Sequence, residues 1–157
     1  MHILLNIVLV IATFFFMEFI AWFTHKYVMH GWGWFLHKDH HVHGEGKTFF
    51  EKNDSFFIIF AVPSFLLLLF GSVNEFDHRF WMGTGIAMYG LCYFLLHDLF
   101  IHQRFKIFTR SKNTYLMALR KAHKVHHKHL TKEHGECFGM LIVPFKYWKE
   151  AIKSLKK

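Results

Sequence analysis

Ten histidines fall into two copies of one pattern. His25 and His30 form H-x4-H, and His37, His40 and His41 form H-x2-H-H. The same pair returns in the same order as His97 and His102, then His123, His126 and His127. A neutral imidazole is a ligand for Fe, Zn, Cu or Ni, so the set reads as a metal site built from two half-sites. Ten imidazoles are too many for one ion. Shared between two, they give about five each and leave a place for a reactant on a six-coordinate metal. A closed structural zinc site would use four ligands, usually with cysteine. H-E-x-x-H is absent, and the one Glu-x-x-His match, Glu75/His78, lies in another loop. On a helix i, i+3 and i+4 share a face, so each H-x2-H-H predicts convergence. Positions i and i+5 stand about 140° apart on an ideal helix. Each H-x4-H pair therefore needs a bend or π-bulge to converge, or it straddles its helix and reaches two metals. His43, His129 and His134 fall outside the pattern and read as surface residues.

The elements that must position these residues are apolar. Of 157 residues, 53% are hydrophobic and 21 are Phe, which points to an all-α integral membrane protein. Residues 1–157 read as a single domain. The run Ile3 to Phe23 is about 31 Å long as a helix, near the thickness of a bilayer core, and leads directly into His25. With no basic residue before it and no small-residue cleavage pattern after it, it reads as a retained helix rather than a signal peptide. Ser55–Val73, containing Pro63, and Phe80–Leu96 are the second and third spans, and the third helix is expected to run on past the membrane edge through His97 to His102. Tyr115–Leu130 reads as a helix. Phe138–Trp148, interrupted by Pro144, reads as an interfacial or re-entrant piece, with a fourth span as the alternative.

Three spans put all ten histidines on one side of the membrane. Fourteen of the 19 Lys and Arg lie between Arg104 and Lys157, and the loop between the far ends of the second and third spans has only Arg79. The positive-inside rule then places the site and the C-terminus in the cytoplasm, with the N-terminus on the far side. The basic tail suits a membrane surface or an acidic protein, and nucleic acid is not expected as a partner. Cys92 and Cys137 have no paired spacing, so neither a disulfide framework nor a cysteine zinc site is implied. Glu18 is costly inside a span, and Asp39 and Asp98 sit beside the motifs. Each is a candidate to orient a ligand imidazole, with a solvated or interfacial carboxylate as the alternative.

The four patterns in this order resemble the membrane di-iron hydroxylase superfamily of fatty-acid and sterol hydroxylases and desaturases. The segments HKYVMHGWGW, K-NDSFF, MYGLCYFLLHD, HQR and AHKVHH are more similar still to the bacterial β-carotene 3-hydroxylases, from about Met17 to Pro144. Leu99 stands where that family often has glycine, and the KEHGEC stretch is two residues longer. The resemblance implies two Fe ions on the ten histidines, O2 as co-substrate and a ferredoxin-type electron donor. It implies hydroxylation at C3 of the β-ionone rings of β-carotene, giving β-cryptoxanthin and then zeaxanthin. No side chain beyond the metal centre is then needed as nucleophile or base, and zinc could occupy the site in a purified sample. Two alternatives stand beside this reading: a fatty-acid or sterol enzyme of the same superfamily, and a histidine-rich metal transporter.

Overall fold

The apolar blocks fold as long helices. The computed structural model describes residues 2–42, 49–106 and 109–156, and among them there is no strand. Helix α1 (His2–Phe23) runs on as a π-helical segment, π1 (Thr24–Trp32), and is followed by α2 (Trp34–His41). Helix α3 spans Asp54–Val73. Helix α4 (His78–Tyr93) runs on as π2 (Phe94–Ile101), and α5 (Thr114–His126) and α6 (Phe145–Leu155) complete the chain. Three helices are long and apolar enough to cross a membrane: Ile3–Trp32, Asp54–Val73 and His78–Ile101. Large apolar side chains such as Ile3, Phe15, Phe65 and Leu91 face outward, as lipid-facing positions do.

The third span reaches further than Leu96 because π2 carries it through Ile101. The predicted helix to Leu130 stops at His126; at its start the Leu116 amide donates to the Asn113 side chain at 3.1 Å. Phe138–Trp148 is not one element. Residues 138–144 are non-helical, Pro144 precedes the first turn of α6, and the 11 residues of α6 are too few for a fourth span.

Helix α4 is the middle member of the three, packed against both α1 and α3. Glycines on opposite faces of α4 let both neighbours approach closely. A Cβ at Gly83 would lie 2.9 Å from the Leu68 amide nitrogen on α3, and one at Gly85 would lie 2.7 Å from the Val10 carbonyl on α1. Without a hydrophobic drive between helices in lipid, such backbone proximity supplies the packing. Ser64 adds a hydroxyl donated to the Gly83 carbonyl at 2.9 Å.

Glu18 ties the end of the chain to this layer. Its Oε1 accepts the Met140, Leu141 and Ile142 amides at 3.0, 2.8 and 3.0 Å, and its Oε2 accepts the Tyr89 hydroxyl at 2.7 Å. Four donors compensate the burial of this acceptor-only group. The segment from Phe138 to Ile142 is thereby pinned across α1 and α4. Helix α6 packs on α5 through Ala118, Ala122, Tyr147 and Ala151. Gly85→Leu is expected to force α1 off α4 and cost about 1–3 kcal/mol. Denaturant unfolding in detergent measures this, and unchanged stability would contradict the close-approach role.

Candidate metal centre

The two H-x4-H pairs sit on the two π segments. Backbone bonds from Gly33 N–H to the Val28 carbonyl and from His102 N–H to the His97 carbonyl, both 2.8 Å, span five residues rather than four. That wider turn brings i and i+5 into line. His25 and His30 therefore point to one place, and His97 and His102 to another, so the straddling alternative is not what forms.

Nine of the ten histidines gather into two groups able to hold a metal ion. The first is His25, His30, His37, His41 and His126, and the second is His40, His97, His102 and His123. In each group the candidate ligand atoms lie within 4.8 Å of one another. The expected convergence of each H-x2-H-H motif is corrected here. Helix α2 sends His37 and His41 to the first group and His40 to the second, and α5 sends His126 to the first and His123 to the second. On a helix i+3 and i+4 lie about 60° to one side of i and 40° to the other, which is enough to feed two adjacent points. His127 stands between the groups. Its ring centroid is 4.4 Å from His41, 4.5 Å from His123, 4.7 Å from His40 and 4.8 Å from His102. Among the described residues, its two buried ring nitrogens have no hydrogen-bond partner.

Proton placement decides which nitrogen each ring of the first group presents. Burial, ahead of all other causes, pushes His37 down to about 3 and His126 down to about 2. It also holds His40, His123 and His127 well below the usual imidazole range. Each ring is then neutral at pH 7 and carries one proton. In the first group that proton is on Nδ1. His41 donates to the His129 carbonyl at 2.9 Å, His30 to Lys132 at 3.1 Å, His126 to Glu136 at 2.9 Å and His25 to Phe138 at 3.0 Å. His37 donates to Asn53 Oδ1 at 2.6 Å. Every Nε2 therefore presents a lone pair. Those lone pairs face one another: His25 and His37 at 3.2 Å, His37 and His41 at 3.1 Å, His30 and His126 at 3.3 Å. Converging lone pairs repel unless a cation lies among them, and the donor set fits an imidazole-binding metal.

The second group repeats the arrangement with different supports. His40 donates Nδ1–H to Glu51 Oε2 at 2.7 Å, and its Nε2 lies 3.2 Å from that of His97. The Nε2 atoms of His102 and His123 are 2.8 Å apart. Asp98 Oδ2 lies 3.6 Å from His97 Nδ1, beyond hydrogen-bond range. Arg104 binds Asp54 at 2.6 Å, Asp98 at 3.0 Å and Glu51 at 3.4 Å. Burial works against the Arg104 charge, but the hydrogen bond to Asp54 and the neighbouring carboxylates outweigh it and hold the guanidinium above its ordinary value.

Of the three carboxylates singled out in the sequence, Glu18 holds residues 140–142 rather than a ring. Asp39 accepts the Lys52 amide at 2.7 Å. Sequence reasoning passed over Glu51, Asn53, Arg104 and the carbonyls of residues 129–138. Asn53 lay in the K-NDSFF segment and Arg104 in HQR, so their motifs were visible though their partners were not. His129 contributes a carbonyl and His134 is exposed, while His43 lies outside the described residues.

An apolar cleft of about 940 Å³ runs from the membrane helices to this centre. Met17, Phe56, Phe60 and Leu68 are among its walls, and His25, His97 and His123 also line it. Among the described residues, the one Lys or Arg in its lining is Arg104.

A family model described as fatty acid hydroxylase matches residues 10–148. The chain is 41% identical over 139 residues to a β-carotene hydroxylase of Pantoea ananas, covering 88% of this chain and 78% of the relative. It is 40% identical over 138 residues to one of Pseudescherichia vulneris, covering 88% and 77%. It is 36% identical over 131 residues to a chloroplastic β-carotene 3-hydroxylase of Arabidopsis thaliana, covering 82% and 42%. No solved structure matches the chain at a significant level.

Asn53→Ala removes the acceptor that fixes the His37 ring and is expected to weaken metal binding by about 10–100-fold. His129→Ala keeps its carbonyl and is expected to leave metal content unchanged. Metal per chain by elemental analysis after chelator dialysis separates the two; equal loss in both would contradict this geometry.

Proposed function

The chain belongs to the fatty acid hydroxylase family, and from that premise we propose that it hydroxylates the β-ionone rings of a carotenoid with O2. It is a hydroxylating enzyme, which sets aside the transporter alternative. The reaction is R–H + O2 + 2 electrons + 2 H⁺ giving R–OH + H2O. On β-carotene, attack at C3 of one ring gives β-cryptoxanthin, and attack on both gives zeaxanthin.

The observation that carries the proposal is the set of imidazoles whose candidate ligand nitrogens converge at two adjacent points. Those residues fit a pair of metal ions, held by His25, His30, His37, His41 and His126 at one position and by His40, His97, His102 and His123 at the other, with His127 completing the ten. Imidazole suits several metals, but insertion of oxygen into a C–H bond requires a redox-active one, which favours iron over zinc. Two iron ions bound there would supply the electrons and the Lewis acidity for O2 reduction.

The rest of the work belongs to the chain. The cleft takes an apolar substrate from the bilayer and points its end at His25, His97 and His123. Its walls exclude water from the reacting carbon. The lining also favours a neutral substrate over a fatty acid. A fatty carboxylate would want a cation, and Arg104 is already engaged by Glu51, Asp54 and Asp98. A one-electron donor of the ferredoxin type supplies the electrons. The excess of Lys and Arg in the tail supports a cytoplasmic site and C-terminus, with the N-terminus opposite.

Expression in β-carotene-accumulating cells is expected to convert most of the pigment to β-cryptoxanthin and zeaxanthin, read by chromatography. His126→Ala, still inserted in the membrane, is expected to abolish the products. Unchanged β-carotene with well-expressed wild-type protein would overturn the proposal.

A further inference from the structure

The two histidine groups differ in what stands behind them. In the first, five Nδ1–H groups go to uncharged acceptors: four backbone carbonyls between His129 and Phe138, and the Asn53 amide oxygen. The carbonyls belong to a stretch with no regular helix between His126 and Phe145. Behind the second group stand three carboxylates and one guanidinium. Glu51 accepts from His40, Asp98 lies against His97, and Arg104 binds both of these and Asp54. Asp98 and Asp54 are set on π2 and α3, so two of these four residues are anchored in the membrane helices, while Glu51 and Arg104 lie just outside their ends.

From this asymmetry we infer that the two ion positions are unequal, and that the Glu51–Asp98–Arg104 cluster makes the second position the tighter one. The inference rests on the proposal that the ten histidines hold two ions. A carboxylate accepting Nδ1–H draws the proton toward itself and makes the opposite nitrogen a stronger donor than a carbonyl does. Three carboxylates against one guanidinium also leave a negative surplus beside the second ion, which stabilises a cation in a buried site. Arg104 is a positioning residue: it touches no ring nitrogen, but it fixes the carboxylates that face His40 and His97. Ligand number runs the other way, five against four. His127 does not tip this count, because it stands between the groups, 4.4 Å from His41 and 4.5–4.8 Å from His123, His40 and His102. The first ion is also the one whose supports open together, because one irregular segment carries four of its five outer contacts.

The full chain in detergent, loaded anaerobically with iron(II), tests this by titration with a chelator and by Mössbauer spectroscopy. Wild-type protein is expected to release iron in two steps of one equivalent, separated by about 10–100-fold in affinity. It should show two distinct quadrupole doublets. Glu51→Gln keeps an acceptor for His40 but removes the charge. It is expected to weaken the tighter step about 10-fold and shift one doublet only. Asn53→Ala is expected to move the weaker step and leave the tighter one. A single release step in the wild type, or Glu51→Gln moving the weaker step or neither, would overturn the inference. The pigment assay separates the two claims. Hydroxylation with one-step release would sink the inequality alone, and two-step release without hydroxylation would sink the proposed reaction alone.

Discussion

Facing lone pairs are the constraint around which this chain is built. Three pairs of Nε2 atoms in the first group approach within 3.1–3.3 Å with no proton between them. Such an arrangement is unfavourable in itself, because each nitrogen is desolvated and repels its neighbour. It persists because the opposite side of every ring is held. Nδ1–H bonds lock each imidazole in one tautomer and one orientation, so binding an ion costs little further ordering. Burial that keeps His37 and His126 uncharged serves the same end, since a protonated ring cannot be a ligand.

The helices are deformed to meet this demand. An α-helix would aim His25 and His30 in different directions, and likewise His97 and His102. Both membrane helices instead widen into π turns at their site ends. A π segment loses α-helical geometry and is tolerated where a functional requirement repays it. Its placement at the ends of spans keeps the irregular backbone among protein and histidine side chains rather than in lipid. The glycine contacts of α4 and the grip of Glu18 on residues 140–142 bring both π ends and the 129–138 segment to the same depth.

The same layer shapes an apolar cleft. Helices α1, α3 and α4 line it together with His25, His97 and His123. The polar cluster around Arg104 borders this cleft but spends its charge internally. One guanidinium therefore holds the carboxylates beside His40 and His97 while standing in the cleft wall.

Much of this was legible in the residue order. The duplicated patterns marked the site, and the apolar blocks marked three spans that place it at one end. The i to i+5 spacing announced that the helix must distort, because a straight α-helix has a fixed 100° step. What the order of residues left open was the division of labour. Within H-x2-H-H all three rings share a broad face, and only the position of the partner helix decides which point each ring reaches. His40 and His126 accordingly serve the group opposite to that of their motif neighbours. The orienting groups were equally hidden. Glu51 meets His40 across 11 residues, and Phe138 meets His25 across 113, so no local pattern could announce either contact. Adjacent Asp39, the obvious candidate by position, turns to the Lys52 amide instead. Residue type and spacing determined that this chain gathers imidazoles at the end of a membrane bundle; tertiary packing decided which of them meet, because short-range geometry sets directions and only long-range contacts set destinations.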